Sequence, residues 1–465
     1  GSTQFVPERV LSYRDDVVVV AANYRLGGLG FLGGRAVAAT TPDGSAGNFA
    51  TQDTRAALQW VQRNIASFGG DPSRVTIFGE SSGASMVAVH LVAPRSSGLF
   101  HAAIMESGPF DNFTMQTSCD ASFEAFAAAA NCNLTAAASE NDDDDGGDAA
   151  ALSAASRSLE CLRALPLRPE APWPDPRWNT TGLLPAIATT SPAGWFGPCI
   201  DGVEMKAEPE AYAAVGRINP VSGVILGTNQ NEGRFLMPFN TPVPNAPVSS
   251  LADVKTWLSS NAPYDATPDL PSRILEVYKD AAKTPWEIAT LIYTDSQYLC
   301  PTARSARWLR QSGRVADDNV FVYRLDYESS TARNESEFYY WLHWCQFWKL
   351  KECRNATMVD PGVGHGSDVG LVWMFPHLNE TDYGLAKTYV DYWQNFATAG
   401  NPNGGRDVAA GEARTTPTTW PKYGHGNGTL VIDRKSHVQA NAEGVRCAFW
   451  DGLHQVPTLP SFDLR

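Results

Sequence analysis

The stretch Phe68-Gly69-Gly70-Asp71-Pro72-Ser73-Arg74-Val75-Thr76-Ile77-Phe78-Gly79-Glu80-Ser81-Ser82-Gly83 decides how the rest of the chain reads. Val75 to Phe78 is a short β-branched and aromatic run, the pattern of a buried strand. Gly79 and Gly83 then bracket Ser81 in the spacing G-x-S-x-G. From Ala84 to Ala93 the sequence runs apolar to Pro94, as a buried helix does. Strand, sharp turn and helix together predict a nucleophile elbow, a strained turn that presents a serine hydroxyl. Small flanking residues let the backbone pass closely. The helix N-terminus aims free N–H groups at an oxygen that gains negative charge, and Ser82 N–H is the first such donor.

Outward from this turn, Val17 to Ala22 is apolar on both faces, which predicts a central parallel strand. Asp53 to Phe68 has helical spacing, with Ala57, Leu58, Trp60, Val61 and Ile65 on one stripe. A strand at Ala102–Met105 continues the alternation, which argues a doubly wound α/β sheet. Beyond Phe110 the pattern changes to alanine-rich helices, a polar run from Asn141 to Asp148 and a proline-dense patch at Pro166–Pro176. No strand signal occurs there, and an insertion over about residues 110–215 is expected. The aspartates lack the alternating ligand spacing of a calcium loop and read as a solvated loop. Strands resume at Val221–Leu226, Val320–Leu325 and Leu430–Asp433, with helices at Leu251–Leu258, Ser272–Asp280 and Leu385–Ala399. A second insertion is expected over about residues 235–300, the whole forming one catalytic domain over residues 1–465.

Composition excludes some classes. Apolar residues make up 43% and charged residues 18%, as in an ordinary globular protein. A net charge of −14 argues against nucleic acid or an anionic membrane as partner. No stretch is long and apolar enough to span a bilayer. Eight cysteines and seven N-x-S/T sequons, at Asn112, Asn133, Asn179, Asn334, Asn355, Asn379 and Asn427, point to a secreted glycoprotein.

A serine hydroxyl becomes a useful nucleophile when an imidazole takes its proton and an acid orients that imidazole. His90 falls in the apolar helix after the elbow and reads as core. His343 sits among Trp341, Trp344, Phe347 and Trp348 as a pocket-lining candidate, and His101, His377, His425, His437 and His454 lack a glycine-rich setting. His365 stands apart in Pro361-Gly362-Val363-Gly364-His365-Gly366-Ser367-Asp368, where glycines permit a tight loop. Two acids compete: Glu232, which follows a strand beside Gly233, and Asp201, whose pairing with Gly202 reads as a turn.

The segment Phe68–Gly83 resembles the serine signature of the type-B carboxylesterase, cholinesterase and fungal lipase family at every fixed position. The similarity extends to residues 17–27, 47–61 and 105–108, to Leu226–Gly233 and to the histidine loop. This resemblance implies the α/β-hydrolase fold and a Ser81, Glu232, His365 triad in the chain order serine, acid, histidine, with no cofactor. It implies a buried polar cluster of Glu80, Ser107 and Asp368 beside the triad. Cys132 with Cys161 and Cys300 with Cys447 match the family's disulfides, while Cys345 and Cys353 are near enough in sequence to pair locally. The resulting expectation is a secreted serine carboxylic-ester hydrolase, with a lipase or steryl esterase as the alternative within the fold. A non-catalytic adhesion member is disfavoured because all three triad positions are filled. The family's glycine-rich oxyanion loop has no counterpart in the written sequence, and an apolar strand at Val17–Ala22 would expose an unpaired edge. A separate N-terminal polypeptide of the same precursor is therefore expected as a second chain, the alternative being that the written sequence is a fragment of a longer one, with the otherwise unassigned Cys119 or Cys199 available to tie it covalently.

Overall fold

The computed structural model describes residues 10, 13, 16–110, 119–133, 146–165, 197–236, 248–261, 263–330, 362–375, 378–404, 416–424 and 426–459. Outside them fall Cys345 and Cys353, the aromatic stretch 341–348, and the sequons at Asn112, Asn179, Asn334 and Asn355.

Among the described residues one sheet has the strands β1 (Thr76–Glu80), β2 (Ala102–Glu106), β3 (Gly223–Asn229), β4 (Val320–Leu325), β5 (Thr429–Ile432) and β6 (His437–Gln439). Their order in space follows their order in the chain. The pairings from β1 to β5 are parallel, and β6 joins β5 antiparallel. β6 is the strand that the sequence pattern does not reveal, because its three residues are too few for alternation to register.

Period-two alternation assigns the strand side chains to two cores. Ala103, Met105, Val224, Leu226, Val320 and Val322 pack on one face against helix α2 (Ser82–Val92). Ala102, Ile104, Ile225, Phe321, Tyr323 and Leu325 pack on the other, beneath Tyr389, Trp393 and Phe396. Both faces are thus covered, which is why these strands read as continuous apolar runs.

Further helices among the described residues include α1 (Phe49–Asn64), before α2 in the chain, then α3 (Cys119–Ala129), α4 (Gly146–Ala164), α5 (Pro209–Ala214), α6 (Glu232–Leu236), α7 (Leu251–Leu258), α8 (Leu270–Tyr278), α9 (Pro285–Thr294), α10 (Cys300–Gln311), α11 (Glu380–Ala399) and α12 (Gly444–Leu453). α7, α8 and α9 build a separate apolar cluster with Trp450 of α12. α9 and α11 begin with capping boxes at Thr284 and Asn379, so the free N–H groups of their first turns have side-chain partners. Of the described sequons, Asn133 and Asn379 are exposed and Asn427 is half-buried.

Three expectations need correction. Residues 17–22 form no strand: they run without sheet pairing, and Val18 and Val20 remain 43% and 44% exposed. They line an apolar groove of about 720 Å³ with Ile77 and Phe78 of β1. Composition gave them strand character, but a strand is made by a neighbour that pairs. Second, Trp60 is 40% exposed and packs on Phe68, with ring centroids 5.6 Å apart. At about 100° per residue it lies roughly 120° from the centre of the stripe formed by Ala57, Leu58, Val61 and Ile65. Third, Cys119 and Cys199 bond to each other. The other disulfides among the described residues are Cys132–Cys161 and Cys300–Cys447, the pairs that the resemblance implies. The second polypeptide therefore finds no support, since neither the edge strand nor the cysteines invoked for it behave as expected.

Candidate active site

The site grows from the carboxyl ends of β1, β2 and β3, where open parallel sheets gather their functional groups. Ser81 follows β1 directly at φ 56°, ψ −119°, a conformation that non-glycine residues rarely adopt. Its N–H donates to Glu106 O at 2.8 Å, and its carbonyl accepts from Ser85 N at 3.0 Å. The turn is therefore held at both ends of one residue. Gly79 allows the approach: a Cβ there would stand 2.5 Å from the carbonyl carbon of Gly83. This is the sharp strand-to-helix turn that the G-x-S-x-G spacing predicts.

Glu232 and His365 come from distant positions and meet. His365 Nδ1 lies 2.6 Å from Glu232 Oε2. The other carboxylate oxygen of Glu232 accepts from Ser107 Oγ at 2.6 Å and from the Asn229 N–H at 2.6 Å. Glu232 is fully buried, so these contacts replace the water it has lost. Ser107, at φ 53°, repeats the strained geometry of Ser81 one strand over. His365 Nε2 stands 3.2 Å from Glu80 Oε1. Asp201 lies apart from this group: its carboxylate accepts the backbone N–H groups of Val203, Glu204 and Met205, the turn that its Gly202 neighbour suggests.

Beneath the imidazole sits a dense set of carboxyl groups. Asp368 is fully buried, accepting from Tyr323 Oη at 2.6 Å and from Asn229 Nδ2 at 3.2 Å. Gly227 makes room for that tyrosine, since a Cβ there would fall 1.7 Å from Tyr323 Cε1. Glu106, beside Glu80 in the sheet register, accepts from Trp393 Nε1 at 2.8 Å. Glu106, Tyr323, Asn229 and Trp393 were not singled out from sequence; the signal for Glu106 was a carboxylate closing the apolar strand AAIME.

Burial is the main reason that the Glu80 carboxyl is pushed up to about 7, with Asp368 and Glu232 adding to the rise and His365 opposing it. Burial likewise pushes Glu106 well above the usual carboxylate range, and Asp368 upward. For His365 burial opposes the charged form, but Glu80, Glu232 and Asp368 together outweigh it and lift the imidazole to about 9. The arrangement therefore strongly favours positive charge on the imidazole. Among the described residues no group of His, Cys, Asp and Glu is arranged to hold a metal.

The model of the carboxylesterase family matches residues 1–450. The chain belongs to that family. It is 27% identical to "Carboxylesterase 4A" of Bos taurus over 98% of its own length and 73% of that protein's. It is 29% identical to "Liver carboxylesterase" of Sus scrofa, covering 96% of this chain and 69% of the relative. "Cholinesterase" of Mus musculus is 26% identical, over 95% and 65% respectively. Membership fits the mostly parallel sheet with helices on both faces, and with it the α/β-hydrolase fold. The family is one of carboxylic-ester hydrolases, and the elbow of Ser81 and the Glu232–His365 pair occupy the sheet end where such chemistry is built.

Proposed function

We propose that this carboxylesterase-family protein is a secreted serine esterase acting through Ser81, His365 and Glu232. The observation that carries the reading is the 2.6 Å contact of His365 Nδ1 with a buried carboxylate, at the sheet end that bears the strained Ser81 turn. In the reaction His365 Nε2 takes the Ser81 hydroxyl proton as Oγ attacks the ester carbonyl. The Ser82 N–H, at the start of α2, stabilises the oxyanion. The imidazolium then gives its proton to the departing alcohol, leaving an acyl-enzyme. Water, deprotonated by the same imidazole, frees the acid and restores Ser81. Glu232 holds the imidazole through Nδ1 and offsets its positive charge.

Secretion and glycosylation belong to the same proposal. Three disulfides among the described residues and the exposed sequons at Asn133 and Asn379 support them. A second N-terminal polypeptide is no part of it. The test combines an organophosphate with a chain-length series of p-nitrophenyl esters. Covalent labelling at Ser81 with matching loss of turnover is expected, and hydrolysis that survives Ser81→Ala would overturn the reading. The chain-length profile separates a short-chain esterase from a lipase.

A further inference from the structure

Helices α9 and α10 form one continuous helix interrupted by a π-helical turn at Asp295–Leu299. Such turns re-aim side chains within a helix and often occur at functional sites. Here the interruption lies against the site. Tyr298 is 7% exposed, and its ring centroid stands 5.0 Å from that of His365. At the residue just before the turn, Thr294 Oγ1 accepts the Gly233 N–H at 3.0 Å, next to Glu232 in the chain. One helix segment therefore touches the catalytic imidazole and the short helix α6 that opens with its acid.

The turn is itself anchored from behind. Asp295, 1% exposed, accepts from Tyr278 Oη at 2.8 Å and from Arg446 Nε at 2.6 Å. Trp450 Nε1 donates to the same Tyr278 hydroxyl at 2.7 Å. Arg446 and Trp450 belong to α12, and Cys447 between them is bonded to Cys300, the residue after the turn. An ion pair and a hydrogen-bond chain thus hold the first residue of the turn, Asp295, and a covalent bond holds Cys300 just beyond its last.

We infer that the π-turn is a brace for the acid–base pair, with Tyr298 a positioning residue for His365 and α12 the clamp that holds it. The contacts at Nδ1 and Nε2 hold the imidazole at its two nitrogens, and the Tyr298 ring, inclined 51° to it, limits its movement toward that side. When the ring becomes imidazolium the tyrosine also faces a cation, and aromatic–cation contacts strengthen where water is excluded. Among the described residues, Glu80, Glu232 and Asp368 are carboxyl groups that act on His365. The inference rests on the proposed roles of Ser81, His365 and Glu232 and adds the element that holds two of them.

The experiment measures kcat and KM across pH for Tyr298→Phe, Tyr298→Leu and Arg446→Met in the full-length protein, each normalised to folded protein by its thermal transition. Tyr298→Leu is expected to lower kcat about tenfold with KM nearly unchanged and to move the acid limb of the profile to lower pH. Tyr298→Phe keeps the ring and retains both features. Arg446→Met loosens the clamp and lowers kcat about threefold, with a loss that is not additive to that of Tyr298→Leu. Wild-type kcat and acid limb in Tyr298→Leu would overturn the inference, as would equal loss in the phenylalanine and leucine variants. If Tyr298→Leu fails to fold, Arg446→Met decides alone, and a wild-type profile there overturns the brace. Failure of the underlying reading looks different: ester hydrolysis would then persist in Ser81→Ala.

Discussion

Two histidines, His90 in α2 and His365 in the glycine-rich loop, have side chains largely withdrawn from water, and their surroundings push them in opposite directions. His90, 4% exposed in α2, contacts Thr54 Oγ1 through Nε2 and Ser96 Oγ through Nδ1, both at 2.8 Å. Burial, followed by the nearby Arg55 charge, pushes it down to about 4, against a smaller opposing effect of Glu204. The His365 side chain is 7% exposed but has Glu232 at one nitrogen and Glu80 at the other, and is lifted to about 9. Desolvation acts on both rings in the same direction. The charged neighbours decide the outcome: Arg55 adds to the lowering at His90, and three carboxyl groups outweigh burial at His365. One imidazole stays neutral and holds a helix in place; the other is built to receive a proton.

The sharpest way to break this comparison is to exchange the consequences of losing each ring. His365→Ala is expected to lower kcat about 10⁴-fold with a small change in melting temperature, and Ser81→Ala should behave alike because the pair acts as a unit. Steady-state kinetics beside a thermal melt checks both. Glu232→Gln is expected to cost about 10³- to 10⁴-fold in kcat, since the imidazole loses both its orienting partner and the charge that offsets its own. Activity near wild type in that variant would return Asp201 to consideration. His90→Ala should do the reverse of His365→Ala, costing about 2 kcal/mol of stability while kcat and its pH profile stay unchanged. A denaturant titration with kinetics on the same preparation reads both.

The smallest effect is the most specific. The Glu80 carboxylate favours the imidazolium, so Glu80→Gln removes part of what raises His365. The imidazole should then lose its proton at lower pH, and the acid limb of kcat/KM should move down by about one pH unit, with turnover only mildly reduced. Because Glu80 ionises near 7, the change should be concentrated above that pH. Asp368→Asn should shift the limb the same way and less, matching its smaller influence on His365. An identical pH–rate profile in both variants would reduce the carboxyl cluster to packing.

Much of this was legible in sequence because local chemistry wrote it there. A serine between glycines, after a β-branched run and before an apolar helix, has few other structures available. Val320–Leu325 was read with its observed bounds because both its faces are buried. Residues 17–22 carried the same signature without the same outcome, since pairing is a property of neighbours and not of the segment. The contact of His365 with Glu232 spans 133 positions and emerged only through family resemblance; no spacing rule encodes it. Tyr298 was invisible for a related reason. A π-turn breaks the 3.6-residue period by which a helix face is read, so the residue it re-aims falls outside any stripe.

The Cys300–Cys447 bond has a consequence for how the molecule survives damage. It closes a loop of 147 positions that contains His365 and the whole of α11. A protease that nicks the chain anywhere within that loop produces two pieces that still share a covalent bond. The piece bearing His365 then remains tethered to its counterpart and can re-seat without diffusing away. On a gel, such a nicked protein runs as one band until it is reduced.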